Sequence, residues 1–471
     1  MQKLIYTKSD LFLIFYTLAY FLNETEKWDR PLFALASIGF LIGVLFSQTR
    51  NYTFTVFLFF SLIHILSDFP KSSNHFNVML FVNILLILSF SIRYKLRIKE
   101  YTLNSNDFLT LRWFLILVYF FTGFHKLNDD FLFSDWSCAN WYHDKLIWFI
   151  TGDVFRPYPE FIYLLSPFMV VVLELIESIG LLFRRTQLIS LISFLLFHAY
   201  LTLGGFVDFA GVSIAIMISF IPDRYIYFVN DKIKLKRTYF YMNDKIKFII
   251  TLFIFTGILW FFEINLRYFT SENKNFLRFI QGILFNILFL YLLYPFILNA
   301  IKKKIIVWDS ESLFLKSLRN QFAVLILFLF GFQNYLGLAT AGTFSMFSNL
   351  ETEGGKSNHI LLRSNPFEIF PYQKELVEIV QFNPPIYDFS SKFRKLQGKK
   401  VPKLVFNEFL INIRESGIKR FDAHVVYNDR SYKLKNIHLD PVWTTASLPL
   451  ASYFLNFRPI IENDNEKMCM W

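Results

Sequence analysis

Cysteine is almost missing: among 471 residues only Cys138 and Cys469 occur. No thiolate metal cluster can be built from two sulfurs, no metal is expected, and at most one intramolecular disulfide can close. Two free thiols are the simpler expectation for this pair; a disulfide is the alternative if both face an oxidising compartment. Charge is also scarce, at 18% of residues against 54% hydrophobic and a mean hydropathy of +0.39, which excludes a soluble domain of this size. Internal repeats and low-complexity linkers are lacking, so the two-fold architecture common among transporters has no support. No small-residue cleavage site follows the apolar run at 11–22, and that run reads as a first membrane helix.

What is abundant is phenylalanine, 61 residues, alongside much Ile, Lys and Asn. That mixture matches drift towards AT-rich codons in a bacterium, so the aromatics are not read as a cofactor box. The net charge of +11 comes from short Lys/Arg blocks between apolar runs. Such blocks specify membrane topology, and no nucleic-acid partner is expected.

Apolar runs fall near 11–22, 32–47, 53–67, 76–92, 108–125, 161–183, 187–204, 206–221, 247–265, 276–298 and 321–338. The expected fold is therefore an all-α polytopic membrane domain of about eleven membrane helices over residues 1–339. Gly204 and Gly205 leave open whether two of these runs are one broken helix. Residues 340–471 are expected to form a small α+β extracytoplasmic domain. There, Pro402 to Ser416 has helical spacing with a stop at Gly417, and Ala423 to Tyr427 with Ser431 to Leu434 reads as a hairpin turned at Asn428 and Asp429. Placing the N-terminus in the cytoplasm puts Arg50, the block at 93–99, Arg184, Arg185 and Lys302 to Lys304 inside, as the positive-inside rule requires. The protein is then integral to a bacterial inner membrane, with the lipid bilayer as its first partner.

The stretch 108–130 organises the chain: an apolar helix interrupted by Thr110, Arg112 and Thr122 delivers Lys126 to the outer edge of the membrane. Arg112, near the other end, reads as a snorkelling anchor. On the same outer side fall Asp68, Asn74, His75 and, within the outer half of its helix, His198; Glu174 and Glu177 lie inside the sixth run. Ionisable groups at such depth are costly and mark a candidate site. Each also has a plainer reading: Asn74 and His75 as a helix cap, His198 as a satisfied core residue, Lys126 as an anchor, and the two glutamates as partners of Arg184 or a lysine. Taken together they describe a polar pocket in an apolar shell, where a lysine stripped of water can serve as a general base.

The segment Leu111 to Leu127, with its Val118-Tyr119-Phe120, Gly123 and Lys126, resembles the vitamin K-dependent gamma-carboxylases and their bacterial relatives that share the HTTM membrane domain. Asp68 with Asn74-His75, and Glu174 with His198, resemble that family's site positions in spacing. FSMFSNL at 344–350, Asn428-Asp429-Arg430 and Asp440-Pro441 extend a weaker similarity into the tail. The resemblance implies a lyase that oxidises a reduced naphthoquinone, vitamin K or menaquinone, with oxygen, and adds carbon dioxide to glutamate in a peptide or protein. By the same implication Lys126 deprotonates the quinol, Asn74, His75 and His198 hold its oxygens, and Asp68 and Glu174 support them. His125, Asn128 and Ser72 depart from the family pattern, and the sequence stops soon after Asp440-Pro441, so tight propeptide recognition is not expected. The alternative is a non-enzymatic HTTM membrane protein with a binding or secretion-associated role.

Overall fold

The computed structural model describes residues 7–24, 50–69, 72–95, 103–151, 160–223, 278–287, 290, 313–364, 367, 369–383, 398–444, 455–458 and 469. Among the described residues the chain is mostly helical, with one small sheet. Its helices are α1 (Lys8–Glu24), α2 (Arg50–Asp68), α3 (Asn74–Lys95), α4 (Ser105–His125), the short α5 (Asp129–Phe133), α6 (Cys138–Thr151), α7 (Glu160–Gly180), α8 (Gln187–Leu203), α9 (Val207–Met217) and α10 (Leu318–Phe332). Helix α11 (Lys403–Glu415) and the four-residue α12 (Pro441–Thr444) belong to the tail.

The expectation of about eleven membrane helices is corrected. Among the described residues three helices are long and apolar enough to cross a membrane: Asn74–Ile92, Ser105–His125 and Glu160–Gly180. Other runs form shorter helices: Gln187–Leu203 and Val207–Met217 fall below the roughly 20 residues that a hydrocarbon core of about 30 Å requires. The pair around Gly204 and Gly205 is two helices, because Gly205 turns left-handed at φ 95 between them. The expected runs at 32–47 and 247–265 lie outside the described residues, as does most of 276–298.

α4 is the axis of the helical domain. Its start is a capping box: the Asp107 N–H donates to Asn104 Oδ1 at 2.9 Å and the Asn104 N–H to Asp107 Oδ2 at 3.0 Å. The other Asp107 oxygen accepts from Arg319 Nη2 at 3.0 Å, and Trp113 Nε1 donates to the Leu313 carbonyl at 2.9 Å, so α10 and the chain before it are pinned along α4. Arg112 is no snorkelling anchor. It is 1% exposed, donates from Nε to the Ser219 carbonyl at 2.9 Å and lies over the Phe220 ring. Around α4 a continuous apolar core joins Phe12, Tyr16, Phe57, Leu86, Phe114, Phe121, Phe194 and Ile216.

The tail is an antiparallel sheet ordered β2-β1-β3-β4, with β1 Leu376–Asn383, β2 Lys400–Pro402, β3 Asp422–Tyr427 and β4 Arg430–Leu434. α11 lies on one face, burying Phe406, Phe409, Leu410 and Ile413 against Val377, Ile379 and Val425. The expected helix and hairpin are present, with Asn428 and Asp429 both at positive φ (49 and 58), as a two-residue turn between twisted strands demands.

Candidate active site

Three local features bring Lys126 to its position. Asn128 closes α4 and opens α5: its Nδ2 donates to the His125 carbonyl at 2.8 Å and to the Ser348 carbonyl at 2.6 Å, while its Oδ1 accepts from the Phe131 N–H at 2.8 Å. Gly123, one turn earlier, lets α7 approach to backbone contact; a Cβ there would stand 2.6 Å from the Leu175 nitrogen. Within α7, Pro167 interrupts the hydrogen-bond ladder and a π turn follows at Val172–Ile176. In that wider turn Val172 and Ile176 face outward while Glu174 is buried.

Glu174 Oε2 accepts from Lys126 Nζ at 2.6 Å. The ammonium also donates to the Thr122 carbonyl at 3.3 Å and the Met346 carbonyl at 3.2 Å, so its three N–H groups meet three acceptors. Lys126 is 3% exposed, and the Phe131 ring lies 5.8 Å from its nitrogen. Glu174 is therefore the direct partner of Lys126, and the alternative pairing with Arg184 is not the one found.

Residues 340–350 lie across this pair as a strap. Asn74 Oδ1 accepts from the Phe344 N–H at 2.7 Å, Asn77 Nδ2 donates to the Gly342 carbonyl at 2.8 Å, and the Cys138 N–H donates to Asn349 Oδ1 at 2.8 Å. With Lys126 on Met346 and Asn128 on Ser348, five groups from the helical domain hold one strap. Phe344, Phe347 and Asn349 all adopt positive φ (61, 54 and 51), a backbone that non-glycine residues keep only when surroundings enforce it. Cys138 and Cys469 form a disulfide beside it, the less expected of the two states, and both pack with Phe131 and Phe347.

The candidate residues divide. Lys126 and Glu174 are in contact, and Asn74 joins them through the strap. His198 meets α4 one step earlier: its Nε2 is hydrogen-bonded to the hydroxyl of Tyr119, which lies seven residues, or about 10 Å of helix, before Lys126. His198 Nδ1, fully buried, has no hydrogen-bond partner among the described residues. His75 is engaged by Ser73 Oγ at 2.8 Å and packs on Phe76. Asp68 lies 4.0 Å from His64 Nε2, whose Nδ1 meets the Tyr20 hydroxyl at 3.0 Å. No group of three or more His, Cys, Asp or Glu residues placed to hold a metal occurs among the described residues.

Reading the sequence missed His359, Asn358 and Asn77. His359 Nε2 donates to the Phe124 carbonyl at 2.9 Å, and its Nδ1 accepts the Leu361 and Leu362 N–H groups at 3.1 Å each. Burial holds this imidazole below its ordinary pKa, against the opposing pull of the Phe124 carbonyl. Asn358 donates to Asp130 at 2.7 Å and to the Asn349 carbonyl at 2.8 Å. A polar tail segment looks like any loop in sequence; only contact with the end of α4 and with α5 distinguishes His359 and Asn358, and only the strap's Gly342 carbonyl distinguishes Asn77 on α3.

A chain with this arrangement can hold one proton between an amine and a carboxylate, screened from water by its own strap. Comparison with known protein families, curated proteins and solved structures finds no match.

Proposed function

We propose that the chain is an integral membrane enzyme resembling the vitamin K-dependent gamma-carboxylases, with Lys126 and Glu174 as its acid–base pair. The observation that carries this reading is the buried 2.6 Å contact between them at the end of the central helix. Transfer of one proton from Lys126 to Glu174 leaves a neutral amine and a neutral acid without changing the net charge of the site. A lysine so prepared can take a proton from an acidic hydroxyl. His198 supports the quinol assignment, since a buried imidazole with an unmet nitrogen suits a ligand oxygen. Asn74 and Lys126 both hold the strap instead, so the strap must withdraw before either can touch a ligand. A reduced naphthoquinone, when bound, supplies through its reaction with oxygen the strong base that glutamate carboxylation with carbon dioxide requires.

Three membrane-length helices support the bilayer as solvent, and the Cys138–Cys469 disulfide agrees with a tail outside the cytoplasm. The N-terminus is then cytoplasmic, in a bacterial inner membrane. The alternative, a non-enzymatic binding or secretion-associated protein, is favoured by one observation: every donor of Lys126 is satisfied within the chain.

The test incubates membranes containing the protein with reduced menaquinone, oxygen and labelled bicarbonate, and measures quinone epoxide and labelled carboxylate. Wild type should form epoxide, and Lys126→Ala at matched protein level should not. Equal rates would reject the role of Lys126, and no epoxide from either would leave the binding protein as the better reading.

A further inference from the structure

The segment that leads from the strap towards the sheet is apolar on its outside. Leu361 is 67% exposed and Ile369 62%, and Phe367 and Phe370 are exposed in the same stretch. The sheet region that follows shows large apolar side chains at Val380, Leu439 and Val442, among the described residues, over a far longer run of chain. Scattered exposed apolar residues are ordinary, whereas a cluster of large ones marks a surface that something covers.

Backbone contacts fix where this cluster stands. The Ile360 N–H donates to the Leu127 carbonyl at 2.9 Å, just past the end of α4, and the Ile369 N–H donates to the Leu336 carbonyl at 2.9 Å, just past the end of α10. α4 is one of the three helices long and apolar enough to cross a membrane. α10 runs beside it: Arg319 meets Asp107 near the start of both, and Gly331 lies against Phe121 near their finish. Leu318, Phe322, Leu325 and Leu329, at spacings of four, three and four, form one exposed apolar stripe along α10. Phe332, the last residue of that helix, carries the stripe over its end, with its ring 6.0 Å from the ring of Phe367. The cluster is therefore the continuation of an apolar face that lies alongside a membrane-length helix. One surround suits both, and it is lipid.

We propose that Leu361, Phe367, Ile369 and Phe370 form an interfacial anchor, inserted into the outer leaflet at the boundary between headgroups and acyl chains. Because Leu361 follows Ile360, whose N–H is bound beside Lys126, the anchor ties the tail to the end of α4 and keeps His359 seated on it. This rests on the membrane reading above but not on the quinol chemistry.

The test reconstitutes the full chain into phosphatidylcholine nanodiscs with a nitroxide spin label on one added cysteine, in Phe367→Cys, Leu361→Cys, Leu325→Cys or Ser431→Cys. Cys138 and Cys469 are joined to each other, so the added thiol is the one labelled. Collision with oxygen, which concentrates in hydrocarbon, is compared with collision with a water-soluble nickel chelate. Leu325→Cys on α10 reports on the membrane reading, and Ser431→Cys on the exposed β4 reports on water. The oxygen-to-chelate ratio at Phe367→Cys should exceed that at Ser431→Cys about tenfold, as for a side chain sunk below the headgroups. Leu361→Cys should agree with it, which guards against disturbance from losing the Phe332 contact. Ratios at both positions equal to that at Ser431→Cys, with Leu325→Cys in hydrocarbon, would overturn the anchor and leave the membrane reading standing. Chelate access at Leu325→Cys would reject both. Shielding of the two anchor positions from both reagents would show protein, not lipid, over the cluster and would overturn the anchor as well.

Discussion

The helical and sheet regions are built with opposite polarity. In the sheet region Val377, Ile379, Leu410 and Val425 are buried while Lys419, Arg420, Arg430 and Lys433 belong to its polar exterior. In the helical region Arg112, Asp107, Lys126, Glu174 and His198 are inside, and the outside of Glu160–Gly180 is apolar, with only 17% of its span buried against 83% for Ser105–His125. Three helices of the helical region are long and apolar enough to cross a membrane. Water accepts charge on the sheet region's surface, whereas a helix whose outer face is apolar leaves the protein interior as the place where ionic groups can find partners. The difference teaches that, among the described residues, charged side chains go inside in the one region and stay outside in the other.

The largest effect should come from breaking the buried ion pair. Lys126→Ala strands Glu174 without its partner, and a loss of about 3–5 kcal/mol is expected from an uncompensated buried charge. From sequence alone this substitution would leave folding almost untouched, since it removes a costly amine; the presence of Glu174 reverses that expectation. The double variant Lys126→Met with Glu174→Leu should recover most of the loss seen in Lys126→Met, and denaturation of wild type, Lys126→Met, Glu174→Leu and the double in one detergent measures the coupling. Simple additivity of the two changes would show that the pair is not the unit that matters.

Next in size is Leu410→Ala in the sheet region. Leu410 is 0% exposed, and a cavity in that core should cost about 2–5 kcal/mol. Hydrogen exchange should rise across 376–434 and not along α4. Increased exchange at 108–125 would show that the two regions unfold as one, and the contrast between them would then be one of composition alone.

The smallest effect is a pH dependence at their junction. His359 is held below its ordinary value, about 6.5, so the unfolded chain binds its proton more readily than the folded one. Its contribution to stability is full above that value and declines as pH falls through it, because a proton on Nδ1 would face two N–H donors. A stability profile from pH 8 to pH 5 should therefore slope less for His359→Gln than for wild type. Identical slopes would remove His359 as the titrating group.

Much of the tail was legible in local pattern. Pro402 to Ser416 and the Asn428-Asp429 turn each state their structure within a dozen residues, by helical spacing and by tolerance of positive φ. β1 escaped because its inward residues, Val377, Ile379 and Phe382, lose strict alternation where the pairing with β3 shifts between Ile379 and Gln381. β2, three residues long, carries no periodicity to read.

At the site, the sequence by itself determined that an apolar helix ends at Lys126, that Glu174 and His198 fall inside apolar runs, and that Asn74 stands at the start of one. Composition and hydrophobic length suffice for that, because each is a property of one segment. Tertiary structure alone decided the partners: Glu174 is 48 residues from Lys126, and the Met346 carbonyl 220. Such pairings depend on a π turn, on the missing side chain of Gly123 and on a strap returning from the tail, and none of these leaves a periodic trace. Tertiary structure also gave His198 and Asp68 neighbours of their own, Tyr119 and His64, which no local pattern names.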